Sequence, residues 1–454
     1  MTKLCIIGAG SVVFTKTIVT DIFLMDEFKN IQISLMDINE KRLKISENIV
    51  KSIAKKLNIN PQIEIFTERK PALKNADFVQ TTFQVGGYEP STVIDFRIPQ
   101  KYGLQQTIGD SLGIGGIMRG LRTIPVLFEI AEDIREVCPN AILLQYVNPM
   151  CINMIALNKV YPDIQSIGLC HSVQGTAEML AEDLNENIND IKYECAGINH
   201  MAFYTKFEKK LSDGSFKDLY PALKDFGNKI ISNNAVSSRS KKISDYSQKI
   251  LHEKVRYEIL NRFGYFVTES SEHFSEYVSW FIKNNKPNLL EEFKIPLNEY
   301  IDRCIINNKL WKNYDSDPAS VMDLEIKKSH EYASNIMKAK LTDETFTLNG
   351  NVFNKGLIEN LPEDCVVEVP CKINKQGINP EKIGKLPIQL AALMMTNINV
   401  QLLASEAAIT KKKDFIYQAA LLDPHTSSEL SINEIYNMVD ELLEAHKEYL
   451  PEYN

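Results

Sequence analysis

Three places in the chain gather residue types that can do chemistry. The first is Gly8-Ala9-Gly10-Ser11, which follows the apolar run LCIIGA and precedes the spaced Ile, Val, Phe and Leu of 14–28. Glycines in such a turn let the backbone approach a pyrophosphate, and the helix that follows offers unpaired N–H groups and a favourable dipole. Val13 stands where the full GxGxxG pattern has its third glycine, a change that bears on helix–strand packing more than on phosphate contact. Asp37 ends the next apolar run, IQISLMD. A carboxylate there accepts ribose hydroxyls and repels a 2′-phosphate, so the pattern favours NAD over NADP. The plainer alternative is a glycine turn and an aspartate that caps a loop.

The second place is a scattered polar set at the ends of expected strands: Asn148 in VNPM, Cys170-His171-Ser172, Asn199-His200, and Glu269, Glu272 and His273 in TESSEH. Strand C-termini line the ligand crevice of a doubly wound sheet. A thiolate and an imidazole in that crevice can bind a transition metal and leave positions open for substrate oxygens. The alternative is a buried thiol and a satisfied core histidine. The third place is QTIGDSLGIGGIMR at 106–119, where four glycines accompany Asp110 and Arg119. That composition predicts a loop made for close approach to a ligand, against the alternative of a flexible loop before a helix.

The elements that must position these residues follow a βαβ rhythm. Apolar runs at 4–9, 31–37, 63–67, 76–83, 140–149 and 164–172 read as strands, and helical patterns fall between them at 14–28, 40–57, 121–137, 151–159 and 173–184. This alternation predicts a mostly parallel sheet ending near residue 195. The second half is less regular. Residues 228–249 are polar and weakly patterned, which predicts a mobile loop or lid, and long helices are expected at 251–263, 388–410 and 434–448.

Composition bounds the function. At 454 residues the chain holds roughly two or three domains. A formal charge of -8 argues against a non-specific nucleic-acid role. Eight cysteines without a CxxC pair fit a reducing cytoplasm better than a disulfide scaffold. Neither a secretory cleavage pattern nor an apolar run of about 18 residues is evident, so no membrane span is expected. Pattern alone thus leads to an NAD-dependent oxidoreductase. The His, Asp and Arg set of a lactate- or malate-type dehydrogenase is not evident, and a metal pair suited to polarising a carbonyl or alkoxide stands in its place.

Longer stretches are more specific. GAGSVVFTK, QVGGYEP, QTIGDSLGIGGIMRGLRTIP, YVNPM, GLCHSVQGTAEMLAEDL, CAGINHMAFY, RYEILNRFGYFVTESSEHFSEY, GNVFNKGLIENLP and ALLDPHTS span almost the whole chain. Together they closely resemble the NAD- and manganese-dependent glycoside hydrolases of family 4, in their α-galactosidase branch. The resemblance implies an α/β protein with a Rossmann-like NAD-binding domain at 1–195. It implies a mixed α+β second domain at 196–454, similar to the C-terminal domain of lactate and malate dehydrogenases, that serves substrate binding and oligomerisation.

This family departs from the two-carboxylate scheme of most glycosidases. The implied reaction oxidises sugar C3 with NAD+, removes the C2 proton, eliminates the C1 substituent, adds water and returns the hydride. The resemblance makes Cys170 and His200 the ligands of Mn2+, with other divalent ions possible and Cys170 kept reduced. It makes His171 the proton donor to the leaving oxygen, and Asn148, Arg119 and Asp110 substrate contacts. Gly8, Gly10, Ser11, Asp37 and Gln84 are the expected cofactor contacts. Tyr257 is the expected C2 base, with Glu269, Glu272 and His273 as rivals. The expected substrate is a small α-galactoside such as melibiose, in a homodimer or homotetramer. Sister α-glucosidase and α-galacturonidase specificities stay open, as does, more remotely, a sugar or 2-hydroxyacid dehydrogenase.

Overall fold

The structure is a computed structural model that describes residues 1–244, 247–316 and 326–454, the side chains of 315 and 316 excepted. Six short parallel strands form its first half: β1 (Lys3–Ile7), β2 (Gln32–Met36), β3 (Gln62–Phe66), β4 (Phe78–Thr81), β5 (Ile142–Gln145) and β6 (Ser166–Gly168). They lie in the order β3-β2-β1-β4-β5-β6, the order of a doubly wound dinucleotide fold. Every residue of β1, β4 and β5 is buried, because helices cover both faces, and for the same reason these strands read as unbroken apolar runs. The chain order reverses at β1, which opens a crevice between the loops after β1 and β4.

The second half continues the same sheet with antiparallel strands. These are β7 (Ile191–Ile198), β8 (Met201–Lys210), β9 (Phe216–Asp218), β10 (Phe346–Phe353), β11 (Val366–Asn374) and β12 (Gly377–Pro380). Asn351 of β10 pairs with Gly168 at the end of β6, and Glu368 of β11 pairs with Gly197 of β7. The twelve strands therefore form one sheet, and the division expected after residue 195 falls inside β7. This crossover carries the loop after β6, with Cys170, towards the β7–β8 turn, with His200.

The segment expected to be a ligand loop divides in two. Residues up to Leu112 form a loop, and Gly113 starts a 25-residue helix, Gly113–Val137, that carries Arg119. Its glycines serve close packing: a Cβ on Gly115 would lie 2.3 Å from the Gly109 carbonyl oxygen, and one on Gly116 would lie 2.7 Å from the Ser111 carbonyl carbon. Contact with the preceding loop, which a side chain would block, outweighs the low helix propensity of glycine.

Helix Ile388–Thr410 is long and apolar enough to cross a membrane by length and composition. In the fold it is a core helix, burying Leu390, Leu393, Met394, Ile398, Val400 and Ala404. Its polar residues are tied inward, with Asn397 Nδ2 donating to the Tyr277 carbonyl at 3.2 Å and Ser405 Oγ to the Ile152 carbonyl at 2.9 Å.

The polar stretch 228–249 is loop over most of its described length but helical at 228–231 and 238–241. It begins in helix Tyr220–Ile231, and Ser237–Ser240 are docked. Asp183 accepts from the Ser237 hydroxyl and the Ser238 N–H, and Arg239 reaches both Glu253 and Glu272. Residues 245 and 246 lie outside the described residues.

Candidate active site

The nucleotide end is built by the turn after β1. Gly8 has φ +86°, and a Cβ there would lie 2.7 Å from the Thr82 backbone. Gly10 donates its N–H to Asp37 Oδ2 at 2.8 Å, and a Cβ on Gly10 would lie 2.6 Å from the same oxygen. Asp37 Oδ1 accepts from the Asn39 N–H, so the carboxylate braces the turn as well as ending β2. Ser11 precedes helix Val12–Phe23 and makes no side-chain capping bond, which leaves the first turn's N–H groups to meet an anion. Val13, at the altered third position, is exposed. Gln84 stands in the loop after β4, where its amide donates to the Gly87 carbonyl and to Thr92 Oγ1. A glycine cradle, an uncapped helix start and an acid at the end of β2 fit a dinucleotide.

Beyond the end of β6, Cys170, His200 and Glu269 each offer one ligand atom, all within 4.8 Å of one another. Cys170 Sγ is 3.5 Å from His200 Nε2, and that nitrogen is 3.6 Å from Glu269 Oε2. His200 and Glu269 both hold left-handed backbone, φ +64° and +66°. Such conformations cost energy in non-glycine residues and concentrate at functional sites. His200 Nδ1 is 3.1 Å from the Tyr277 hydroxyl, which leaves Nε2 for the centre. A thiol, an imidazole and a carboxylate so placed fit a divalent transition metal.

Glu269 also faces a second imidazole, with Oε1 3.2 Å from His273 Nδ1. Burial opposes its charge, but His273, His200 and His171 together hold its carboxyl down to about 2. Burial pushes His273 down to about 4, so that ring is neutral near pH 7. Burial also pushes the Cys170 thiol up to about 12. His171 is exposed beside the cluster, with Nδ1 3.4 Å from Glu331 Oε1. That pairing raises the imidazole to about 9, so it carries a proton near neutral pH.

A buried polar group adjoins the cluster. Asn148 Nδ2 donates to Asp110 Oδ2 at 3.1 Å, and Arg119 Nη1 is 3.9 Å from that oxygen. Burial would raise the Asp110 carboxyl, but Arg119, His273 and His200 keep it below its usual value. The Tyr300 hydroxyl accepts from Arg119 at 2.9 Å. Asn148, Asp110 and Arg119, each an expected substrate contact, thus lie together in one buried group.

Two expectations for the base are corrected. Tyr257 is fully buried among Phe226, Phe266 and Gly227, and its hydroxyl donates to Asp183 at 2.6 Å. Burial first, and the Asp183 charge second, push this phenol well above its ordinary value, the opposite of what a base needs. Glu272 is held by Arg239 and Arg303 through contacts of 2.5–2.9 Å. Sequence reasoning also missed three residues. Tyr277 and Tyr300 carry no signal distinguishing them from core aromatics. Glu368, a lone acid in the apolar run VVEVP, did carry one: it is fully buried, and burial pushes it up to about 8.

Comparison with known proteins agrees with this geometry. The family model described as Family 4 glycosyl hydrolase matches residues 3–186, and the Family 4 glycosyl hydrolase C-terminal domain matches 195–426. An alpha-galactosidase of Bacillus subtilis (strain 168) is 46% identical over 453 residues, covering 100% of both chains. An alpha-galactosidase of Rhizobium meliloti (strain 1021) is 33% identical over 465 residues, covering 99% of this chain and 89% of its own. A solved 6-phospho-alpha-glucosidase from gut microorganisms, in complex with NAD and Mn2+, shares the fold with TM-score 0.82 at 20% identity, over 100% of both chains. With both family models matched and a relative 46% identical over the whole length, the chain belongs to glycosyl hydrolase family 4.

Proposed function

We propose that this glycoside hydrolase cleaves terminal α-galactosides of the melibiose type, using NAD+ and Mn2+ without net oxidation. The observation that carries the reading is the meeting of Cys170, His200 and Glu269, with ligand atoms within 4.8 Å of one another, after β6 of the parallel sheet whose β1 leads into the Gly8–Gly10 turn. Gly8, Gly10, Ser11 and Asp37 would hold the dinucleotide, and Cys170, His200 and Glu269 the metal. When bound, these groups would supply reversible hydride transfer at a sugar carbon and stabilise negative charge on adjacent sugar oxygens.

The remaining steps belong to the chain's own residues. Asp110 accepts hydrogen bonds from sugar hydroxyls, the Asn148 amide can both donate and accept, and the Arg119 charge 3.9 Å away favours the ionised Asp110. His171, kept protonated by Glu331, donates a proton to the departing glycosidic oxygen. The proton next to the oxidised carbon falls to the Glu269–His273 pair, where Ser270 and Glu269 hold Nδ1 of a neutral imidazole at 2.7 and 3.2 Å.

Galactoside specificity rests on the two relatives at 46% and 33% identity and on local charge. Arg239 and Arg303 both pair with the Glu272 carboxylate within the protein, so these two guanidinium groups are engaged without a sugar phosphate or uronate. The test is a panel of p-nitrophenyl α-galactoside, α-glucoside, α-galacturonide and the 6-phosphates under one condition. A galactoside preference in kcat/KM of at least tenfold is expected, and a higher value for any other sugar would overturn the specificity.

A further inference from the structure

The short helix Ser271–Glu276 and the residue after it send four side chains to different neighbours. Glu272 meets Arg239 and Arg303, His273 meets Glu269, and Tyr277 meets His200. Glu276 points to the loop before helix Gly113–Val137. Its buried carboxylate accepts three successive backbone N–H groups there: Thr107 at 2.8 Å and Ile108 at 3.2 Å on Oε2, and Gly109 at 2.8 Å on Oε1. Successive N–H groups converging on one anion form a backbone nest, and here the anion is part of the protein.

The nest fixes more than itself. Gly109 holds φ +57°, and a Cβ there would come within 3.2 Å of the Phe96 ring, so the chain has little room to take another path. The next residue is Asp110, whose carboxylate meets Asn148 and Arg119. The loop is tied at other points too, with the Thr107 hydroxyl donating to the Glu272 carbonyl and the Tyr300 N–H to the Thr107 carbonyl. These ties hold Thr107, whereas Glu276 alone among these groups binds Ile108 and Gly109, the two peptides before Asp110.

We propose that Glu276 is a positioning residue for substrate: its carboxylate holds the 107–109 backbone so that Asp110 faces the sugar. This rests on the reading of Asp110 as a substrate contact. Glu276 touches neither the nucleotide turn nor Cys170, His200 and Glu269, so its loss should act on sugar binding and leave cofactor binding alone. Glutamine keeps the shape but brings an NH2 donor against N–H donors, whereas aspartate keeps the carboxyl and shortens the reach.

The test is a double-mutant cycle on the enzyme loaded with NAD+ and Mn2+, using p-nitrophenyl α-galactoside. Glu276→Gln should raise KM about tenfold, the loss expected when the acceptor shared by three buried N–H groups is replaced by a group that also donates, with NAD+ affinity unchanged. Asp110→Asn alone should also raise KM, and adding Glu276→Gln to it should change KM less than twofold. Glu276→Asp should give a smaller rise that likewise vanishes in the Asp110→Asn background, which keeps the test open should the glutamine variant not fold. If Asp110→Asn raises KM and the two changes multiply, the positioning role is wrong while the substrate reading stands. If Asp110→Asn leaves KM unchanged, the substrate reading falls and the positioning role with it.

Discussion

The Tyr277 hydroxyl lies 3.1 Å from Nδ1 of His200, and both side chains are buried. This contact orients the imidazole so that Nε2 faces Cys170 and Glu269. Tyr277→Phe should therefore weaken Mn2+ binding by about 10- to 100-fold while NAD+ binding is preserved. Mn2+ titration followed by electron paramagnetic resonance reads this directly. An unchanged Mn2+ affinity would show that the ring is held by other contacts.

The thiol of Cys170 gives metal binding a pH dependence of known sign. Burial pushes the thiol up to about 12, so the metal-free protein carries it protonated at neutral pH. A metal binds the thiolate, so each binding event releases that proton and affinity rises with pH. Apparent Mn2+ affinity should climb about tenfold per pH unit between pH 6.5 and 8. Cys170→Ala should bind more weakly and lose most of that slope. A wild-type affinity that is flat across this range would contradict thiolate ligation.

Tyr257→Phe separates packing from catalysis. The phenol donates to Asp183 inside the core, so removing it should cost about 1–3 kcal/mol of stability through the acceptor left behind. kcat should stay within a few-fold of wild type. A loss of a thousandfold or more in kcat, with thermal stability intact, would restore Tyr257 as a base.

How much of this was legible follows the range of each interaction. Gly8, Gly10 and Asp37 could be placed because a turn, a helix start and a strand end are local features with local residue demands. Cys170 and His200 were legible through motifs, since thirty residues of chain and the β6-β10-β11-β7 crossover stand between them. Glu269 was counted as a rival base because the sequence does not show that its backbone turns left-handed toward His200. Tyr257 misled for a similar reason: a tyrosine on a helix reads alike whether it faces a crevice or Asp183. The start of helix Gly113–Val137 was hidden by its glycines, which tertiary contact with Gly109 and Ser111 requires.

Gly10→Ala tests the nucleotide turn. The added methyl would sit 2.6 Å from Asp37 Oδ2, so the turn or the carboxylate must move. NAD+ affinity, followed by quenching of protein fluorescence, should fall at least tenfold, and Mn2+ affinity should not. Equal NAD+ binding in wild type and variant would show that the dinucleotide does not use this turn.

The most direct measurement is hydrolysis of p-nitrophenyl α-galactoside by protein stripped of nucleotide and metal and kept reduced. NAD+ and Mn2+ would be restored singly and together, with absorbance at 340 nm followed alongside nitrophenol. The account predicts release only when both are present, with many turnovers per NAD+ and no accumulating NADH. Full activity in verified stripped protein, or NADH formed in proportion to product, would contradict it.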